Sequence, residues 1–355
     1  VAIRNDIRGL FVFQESPVQW PTAISTGLAM GLPIAILSAL GQPELGLIAC
    51  TGGFAAMYLS NRTRRERILL LAFVVLGLVA SSAIGVAVSG SIALGLFTLF
   101  ALTVVGSIIL LGIGAGPPGS IFFMLAAGAS IRLAAPPSLE GVGLNGGLVI
   151  GMVAVGAVIS YAIVLIPLLN PSVRQDDFEA HRARAPFRFS LHGDARAIVI
   201  NLVVASAIAV LISAPFGVQR TYWVLLTVIA ILQNGRKLRL TALRSIHRVL
   251  GTFVGLGLFA LLLPLHLTGL WLALLLAVLM FFVQLVVIRN YGLALVFITP
   301  LALLIASSGD PRDVGTITLT RVVDTLLGAG IAMIVLLAAW LGSRVLPNLY
   351  KRVEG

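Results

Sequence analysis

A chain of 355 residues with 59% hydrophobic side chains, only 10% charged ones and a mean hydropathy of +1.08 cannot fold around a single core in water. Its apolar residues come in runs of roughly 16 to 27, and about 20 carry a helix across a bilayer, so the composition predicts an all-α polytopic membrane protein. The net charge of +11 would suggest nucleic acid in a soluble domain, but here it reads as topology, because Lys and Arg collect in cytoplasmic loops. Membrane lipids, and no nucleic acid, are the expected surroundings.

In chain order, segment 1–20 is too charged for the apolar region of a cleavable signal peptide and is expected at the cytoplasmic face. Spans then centre on 21–40, 45–60, 68–89, 91–113, 119–135 and 143–169, which make a first six-helix unit over 21–169. A polar cytoplasmic linker follows at 170–196. Six more spans near 197–214, 219–234, 248–264, 268–288, 291–308 and 316–343 make a second unit over 197–343, and 344–355 is a cytoplasmic tail. With the N-terminus inside, all of the 24 Lys/Arg except Arg132, Arg220, Arg312 and Arg321 fall on the inner side. The expected orientation is N-in and C-in, and the expected location is a bacterial cytoplasmic (inner) membrane.

The halves repeat. "MYLSNRTRRERILLLAFVVLG" and "AILQNGRKLRLTALRSIHRVLG" each join a short second span to a basic loop, at a spacing of about 174 residues. Six spans per half is even, so the expected units are parallel, related by a pseudo-two-fold along the membrane normal, with the pathway at their interface. The second and eighth spans are short and carry Thr51-Gly52-Gly53 and Thr227. The fifth and eleventh are short and expected to be interrupted, at "AAGAS" (126–130) and at "ITP" (298–300), which contains Thr299. Matched short or broken spans point to a transport site, because loosened backbone is tolerated only against protein or a wet cavity. Close helix packing alone would also explain the small residues.

The stretch "YWVLLTVIAILQNGRKLRLTALRSIHRVLGTFVGLGLFALLL", 222–263, resembles the signature region of the fusaric acid resistance family, and "TRVVDTLLGAGIAM", 320–333, resembles that family's closing helix. The motif is a span containing Trp223, a basic loop, Arg248-x-x-Gly251-Thr252-x-x-Gly255 and a late Arg321-x-x-Asp324. The resemblance covers about 222–340 and implies export of aromatic acids. Larger members carry a sizeable cytoplasmic domain between the halves, whereas this chain has only the linker. Plant malate channels share the six-span unit and pair two copies around an anion pore, which a tandem repeat would mimic in one chain.

If the ninth helix begins before Arg244, then Arg244, His247, Arg248, Gly251 and Gly255 share one face. Arg236, Lys237 and Arg239 read as headgroup anchors, whereas Arg248 abuts an apolar run and needs a partner or an anion. Arg321 and Asp324, three apart, are close enough on a helix to form an ion pair. The pair reads either as a coupling site or as a bridge that pins the helix. The expected substrate pathway is therefore Thr51, Thr227, Trp223, Arg244, His247, Arg248, Thr299 and Arg321, with Asp324 as the proton-coupling carboxylate. His181, His192, His247 and His266 are scattered and form no HExxH, and Cys50 stands alone as a packing residue, so no metal site and no cofactor is expected. No nucleophile elbow or Walker loop is present, and the reading is a transporter rather than an enzyme. The expected partner is a small organic anion exported by a secondary, proton-coupled mechanism. A passive organic-anion channel and a non-transporting envelope scaffold are the alternatives, and assembly into a homo-oligomer is left open.

Overall fold

A computed structural model describes residues 19–60, 62–175, 189–191, 193–233, 238–307 and 314–345. The expectations for His181, His192, Arg236, Lys237 and Arg312, for the start and the end of the chain, and for most of the linker lie outside the described residues. The described residues carry helices and no strand. The helices are α1 (Trp20–Ala39), α2 (Pro43–Gly53), α3 (Arg64–Ala87), α4 (Ile92–Gly112), α5 (Ile121–Ala134), α6 (Gly146–Leu165), α7 (Asp194–Ser213), α8 (Val218–Leu232), α9 (Leu238–Leu262), α10 (Gly269–Val286), α11 (Tyr291–Ser307) and α12 (Val314–Val345).

Length divides them into two kinds. Eight, namely α1, α3, α4, α6, α7, α9, α10 and α12, are long and apolar enough to cross a membrane. The other four, α2, α5, α8 and α11, have 11, 14, 15 and 17 residues. At 1.5 Å per residue they reach only about 16 to 26 Å, short of a hydrocarbon core of about 30 Å. Among the described residues there are thus eight full-length candidates, with the four shorter helices falling at the second, fifth, eighth and eleventh positions. The outer faces of the long helices expose large apolar side chains such as Phe73, Phe97, Leu211 and Leu261, as a lipid-facing surface requires.

Local sequence sets the ends. Thr63 and Glu66 form a capping box at the start of α3, with Thr63 Oγ1 accepting from the Glu66 N–H at 3.3 Å and Glu66 Oε2 accepting from the Thr63 N–H at 3.1 Å, which satisfies two N-terminal donors. Prolines stand in the first turns of α1 and α2, where their missing N–H costs nothing. Helix α2 tightens into a 3₁₀ turn at Phe54–Met57, and Leu59 then takes a left-handed conformation with φ of 59°.

The interruptions expected at 126–130 and 298–300 are absent. Helix α5 runs unbroken through Gly128, where an added Cβ would stand 3.0 Å from the Tyr222 ring, and α11 runs through Pro300. The glycine serves close approach. The proline removes one backbone bond, which a packed neighbour can tolerate within a membrane helix.

Packing partners in the first six helices recur in the last six. Helix α1 packs on α2 and α6, α2 on α6, α3 on α5 and α6, and α4 on α5; likewise α7 packs on α8 and α12, α8 on α12, α9 on α11 and α12, and α10 on α11. Between the sets, α1 lies along α10 and α7 along α4. The α2–α6 and α8–α12 crossings share a cause. A Cβ on Gly156 would collide with the Ala49 backbone, and one on Gly328 would stand 2.8 Å from the Val224 carbonyl oxygen. In lipid, small residues of this kind let helix backbones approach.

Candidate functional site

All four short helices face one space. A cavity of about 490 Å³ is lined by Leu47 and Thr51 of α2, Phe122 and Leu125 of α5, Trp223 and Leu226 of α8, and Tyr291 and Leu301 of α11. Helix α9 adds Arg244 and Arg248, α10 adds Gln284, and α12 adds Arg321. The walls are otherwise apolar and aromatic, with Phe54 stacked on Phe122 at 4.1 Å between centroids.

Its three arginines have neutral partners. Arg321 is 5% exposed, and its guanidinium lies 3.7 Å from the centroid of the Trp223 ring. Its Nε and Nη1 are buried and have no hydrogen-bond partner. Arg248, 2% exposed, donates from Nη1 to Tyr291 Oη at 3.1 Å and from Nη2 to Thr227 Oγ1 at 3.4 Å, while its Nε is unpartnered. Arg244 places its guanidinium 5.4 Å from the Tyr291 ring centroid. No carboxylate lines the cavity among the described residues.

Helix α9 begins at Leu238, ahead of Arg244 as the stripe requires, but the stripe divides. Arg244 and Arg248 reach the cavity, whereas Gly251 and Gly255 seat α11: added Cβ atoms would stand 2.5 Å from the Gly292 carbonyl oxygen and 2.6 Å from Thr299 Cβ. His247 lies against Gly292 and is not part of the wall. Thr227 and Thr299 are buried behind the wall. Thus Thr51, Trp223, Arg244, Arg248 and Arg321 line the space, Thr227 orients one of the arginines, and His247 and Thr299 belong to helix packing.

Asp324 is not paired with Arg321. Its Oδ1 accepts from Arg220 Nη2 at 2.7 Å and from Arg220 Nε at 2.9 Å. The cause is the crossing of α8 and α12. Arg220 and Trp223 are three apart on one helix, Arg321 and Asp324 three apart on the other, so each pair lies on one face. Arg220 meets Asp324 and, one turn further along both helices, Val224 faces Gly328, which is the register of parallel neighbours, while the long Arg321 side chain reaches along the crossing to Trp223. Asp324 Oδ2 remains buried without a partner. Arg220 has no local sequence signal, since its partner stands 104 residues away. Tyr291 and Gln284 were equally silent: each reads as an ordinary residue of an apolar span until the fold turns it to the cavity.

The fold and this cavity define a multi-pass helical membrane protein with a buried cationic chamber. One stretch of the chain, residues 204–335, matches the model of the fusaric acid resistance protein-like family. It contains every arginine of the chamber and the Arg220–Asp324 pair. Over 132 residues, 37% of the chain, the sequence is 30% identical to the uncharacterized membrane protein YvaC of Bacillus subtilis (strain 168), and the chain covers 21% of the length of that relative. No solved structure matches.

Proposed function

We propose that the protein is a secondary exporter of small organic anions, aromatic carboxylates foremost, which enter from the cytoplasm and occupy the chamber between two parallel six-helix units. One observation carries this reading: Arg321 is buried, faces the cavity and keeps two guanidinium nitrogens without a partner. An unpaired buried charge is costly, and in the membrane an ionisable group marks a pathway by default. A carboxylate would complete it with short, charge-assisted bonds, while Trp223, Phe54 and Phe122 suit a ring.

The recurrent packing supports units over 21–169 and 197–343, with the short helices and their flanking turns completing twelve crossings. Basic turns on one side support N-in, C-in insertion in the cytoplasmic membrane. Cysteines placed at Ser172 and Arg239 should then react only from the cytoplasm, and ones at Glu140 and His266 only from outside; any other division ends the twelve-span topology. Asp324 is the coupling carboxylate in this reading, with Oδ2 as the place for the proton. An anion on Arg321 neutralises one of the two cations near Asp324 and so favours proton uptake there.

Flux of labelled benzoate from proteoliposomes, with and without a pH gradient, tests the reading. Uphill movement driven by the gradient is expected. Flux that never exceeds that of protein-free liposomes would end the transport reading and leave a scaffold. Downhill flux indifferent to the gradient would make the protein a passive anion channel.

A further inference from the structure

The chamber holds more positive charge than one carboxylate can balance. Arg244, Arg248 and Arg321 all line it. The neighbouring acid is already engaged, since Asp324 accepts both of its bonds from a fourth cation, Arg220. Tyr291 and Thr227 satisfy two donors of Arg248 but bring no charge. A single carboxylate on Arg321 would leave Arg248, 2% exposed, as an uncompensated cation, and burial of such a charge is what proteins avoid.

Resting on the transport reading, we infer that the chamber selects a dianion: an apolar or aromatic body with two negative charges at one end, one for Arg321 and one for Arg248. The free Nε of each arginine gives both guanidinium groups a donor to offer. Phe54, Phe122, Leu125 and Leu301 of the wall offer nothing to a charge and suit the apolar remainder. A dicarboxylate with two separated groups and a phosphonate with one doubly charged head share the required chemistry. Ordinary benzoate is a weaker substrate of the same site.

The test compares benzoate, isophthalate and phenylphosphonate on the full-length protein in proteoliposomes, in chloride-free medium alkaline enough to ionise the phosphonate fully. Exchange of labelled benzoate and of labelled isophthalate is measured separately, and the others compete. At least one dianion should bind tenfold or more tightly than benzoate. A lead by isophthalate assigns the charges to two groups, and a lead by phenylphosphonate to one. Arg248→Gln should erase the advantage of the dianion over benzoate, with thermal unfolding in detergent as the check that the variant is folded; Arg248→Lys should keep part of it. Benzoate that binds as tightly as the tighter of the two dianions, or does so once chloride is added, would overturn the inference while leaving transport standing. Absence of exchange for both labelled anions would overturn the transport reading itself.

Discussion

The two halves hold their arginines in different ways. After the short α2, Arg67 Nη2 donates to the Ala56 carbonyl at 2.9 Å and Arg64 Nη1 to the Val164 carbonyl at 2.6 Å, while Arg62 pairs with Glu66 at 3.4 Å. These cations close helix ends, where carbonyls lack partners and the helix dipole favours positive charge. After the short α8, Arg244 and Arg248 instead turn inward to a cavity whose aromatic and hydroxyl groups are neutral. At the spacing of about 174 residues, Arg248 falls opposite Val74 and Arg321 opposite Gly147. Helix packing therefore recurs where charge does not. One half supplies walls and ordered turns, the other the chemistry of the site.

The largest expected effect breaks or keeps that division. Arg321→Gln should reduce anion exchange about 100-fold, the loss of a charge-assisted pair worth nearly 3 kcal/mol, with thermal stability little changed. Arg67→Gln should do the reverse, lowering stability by about 1 to 3 kcal/mol through a lost buried bond and leaving anion affinity within about twofold. Similar exchange defects in both would erase the distinction between the halves. Binding in detergent and thermal unfolding monitored together separate the two outcomes.

Next comes Asp324, whose pair with Arg220 ties α12 to α8. Asp324→Asn should abolish accumulation of anion against its gradient while exchange at equal concentrations stays within about threefold. If the Arg220–Asp324 pair merely pins α12 to α8, then Arg220→Gln and Asp324→Asn will each destabilise by about 3 to 5 kcal/mol, the cost of stranding one buried partner, and coupling will survive in whatever protein folds. Accumulation by Asp324→Asn that still depends on pH would move the coupling elsewhere, with His247 the next group to substitute.

A smaller and more symmetric effect is expected at the close crossings. Gly156→Ala and Gly328→Ala should each cost about 1 to 3 kcal/mol, because each forces a methyl against facing backbone. Equal losses would sharpen the correspondence of α2–α6 with α8–α12. A loss confined to Gly328 would mean that only the second half depends on that approach.

Much of this fold was legible, and the reason is the solvent. In lipid, backbone bonds must close within each helix, so apolar runs translate directly into helices, and the runs between Trp20 and Val345 did so within a few residues apart from α2, which stops at Gly53, and α9, which is already helical at Leu238. The short spans were legible as well, since span length needs no tertiary information. Pairing across helices was not. Sequence joined Arg321 to Asp324 because they are three apart, whereas the crossing of α8 and α12 brings Arg220 to Asp324 and Trp223 to Arg321. The Gly and Pro at 128 and 300 gave a signal that does not separate a broken helix from a tightly packed one, and the fold chose packing. His247 and Thr299 stand outside the cavity wall for a related reason: a face of α9 has two edges, and only the packing of α11 decides which edge meets the cavity.

The smallest expected effect is at Arg239, and it tests whether position or charge alone matters on α9. Arg239 lies in the first turn and is exposed, where a cation opposes the helix dipole by a few tenths of a kcal/mol and gains about 1 kcal/mol from anionic headgroups. Both terms act at the surface and are screened by salt over about 8 to 10 Å. Arg239→Ala should therefore change anion exchange by less than about twofold, and that change should vanish at high ionic strength. Arg248→Ala, nine positions further along α9 but facing the chamber, should weaken exchange of a dianion about tenfold or more, with little dependence on salt because the pair is buried. Equal and equally screened effects at the two positions would mean that the basic segment attracts anions through its overall field. A large, salt-resistant effect confined to Arg248 would place the selectivity in the chamber wall.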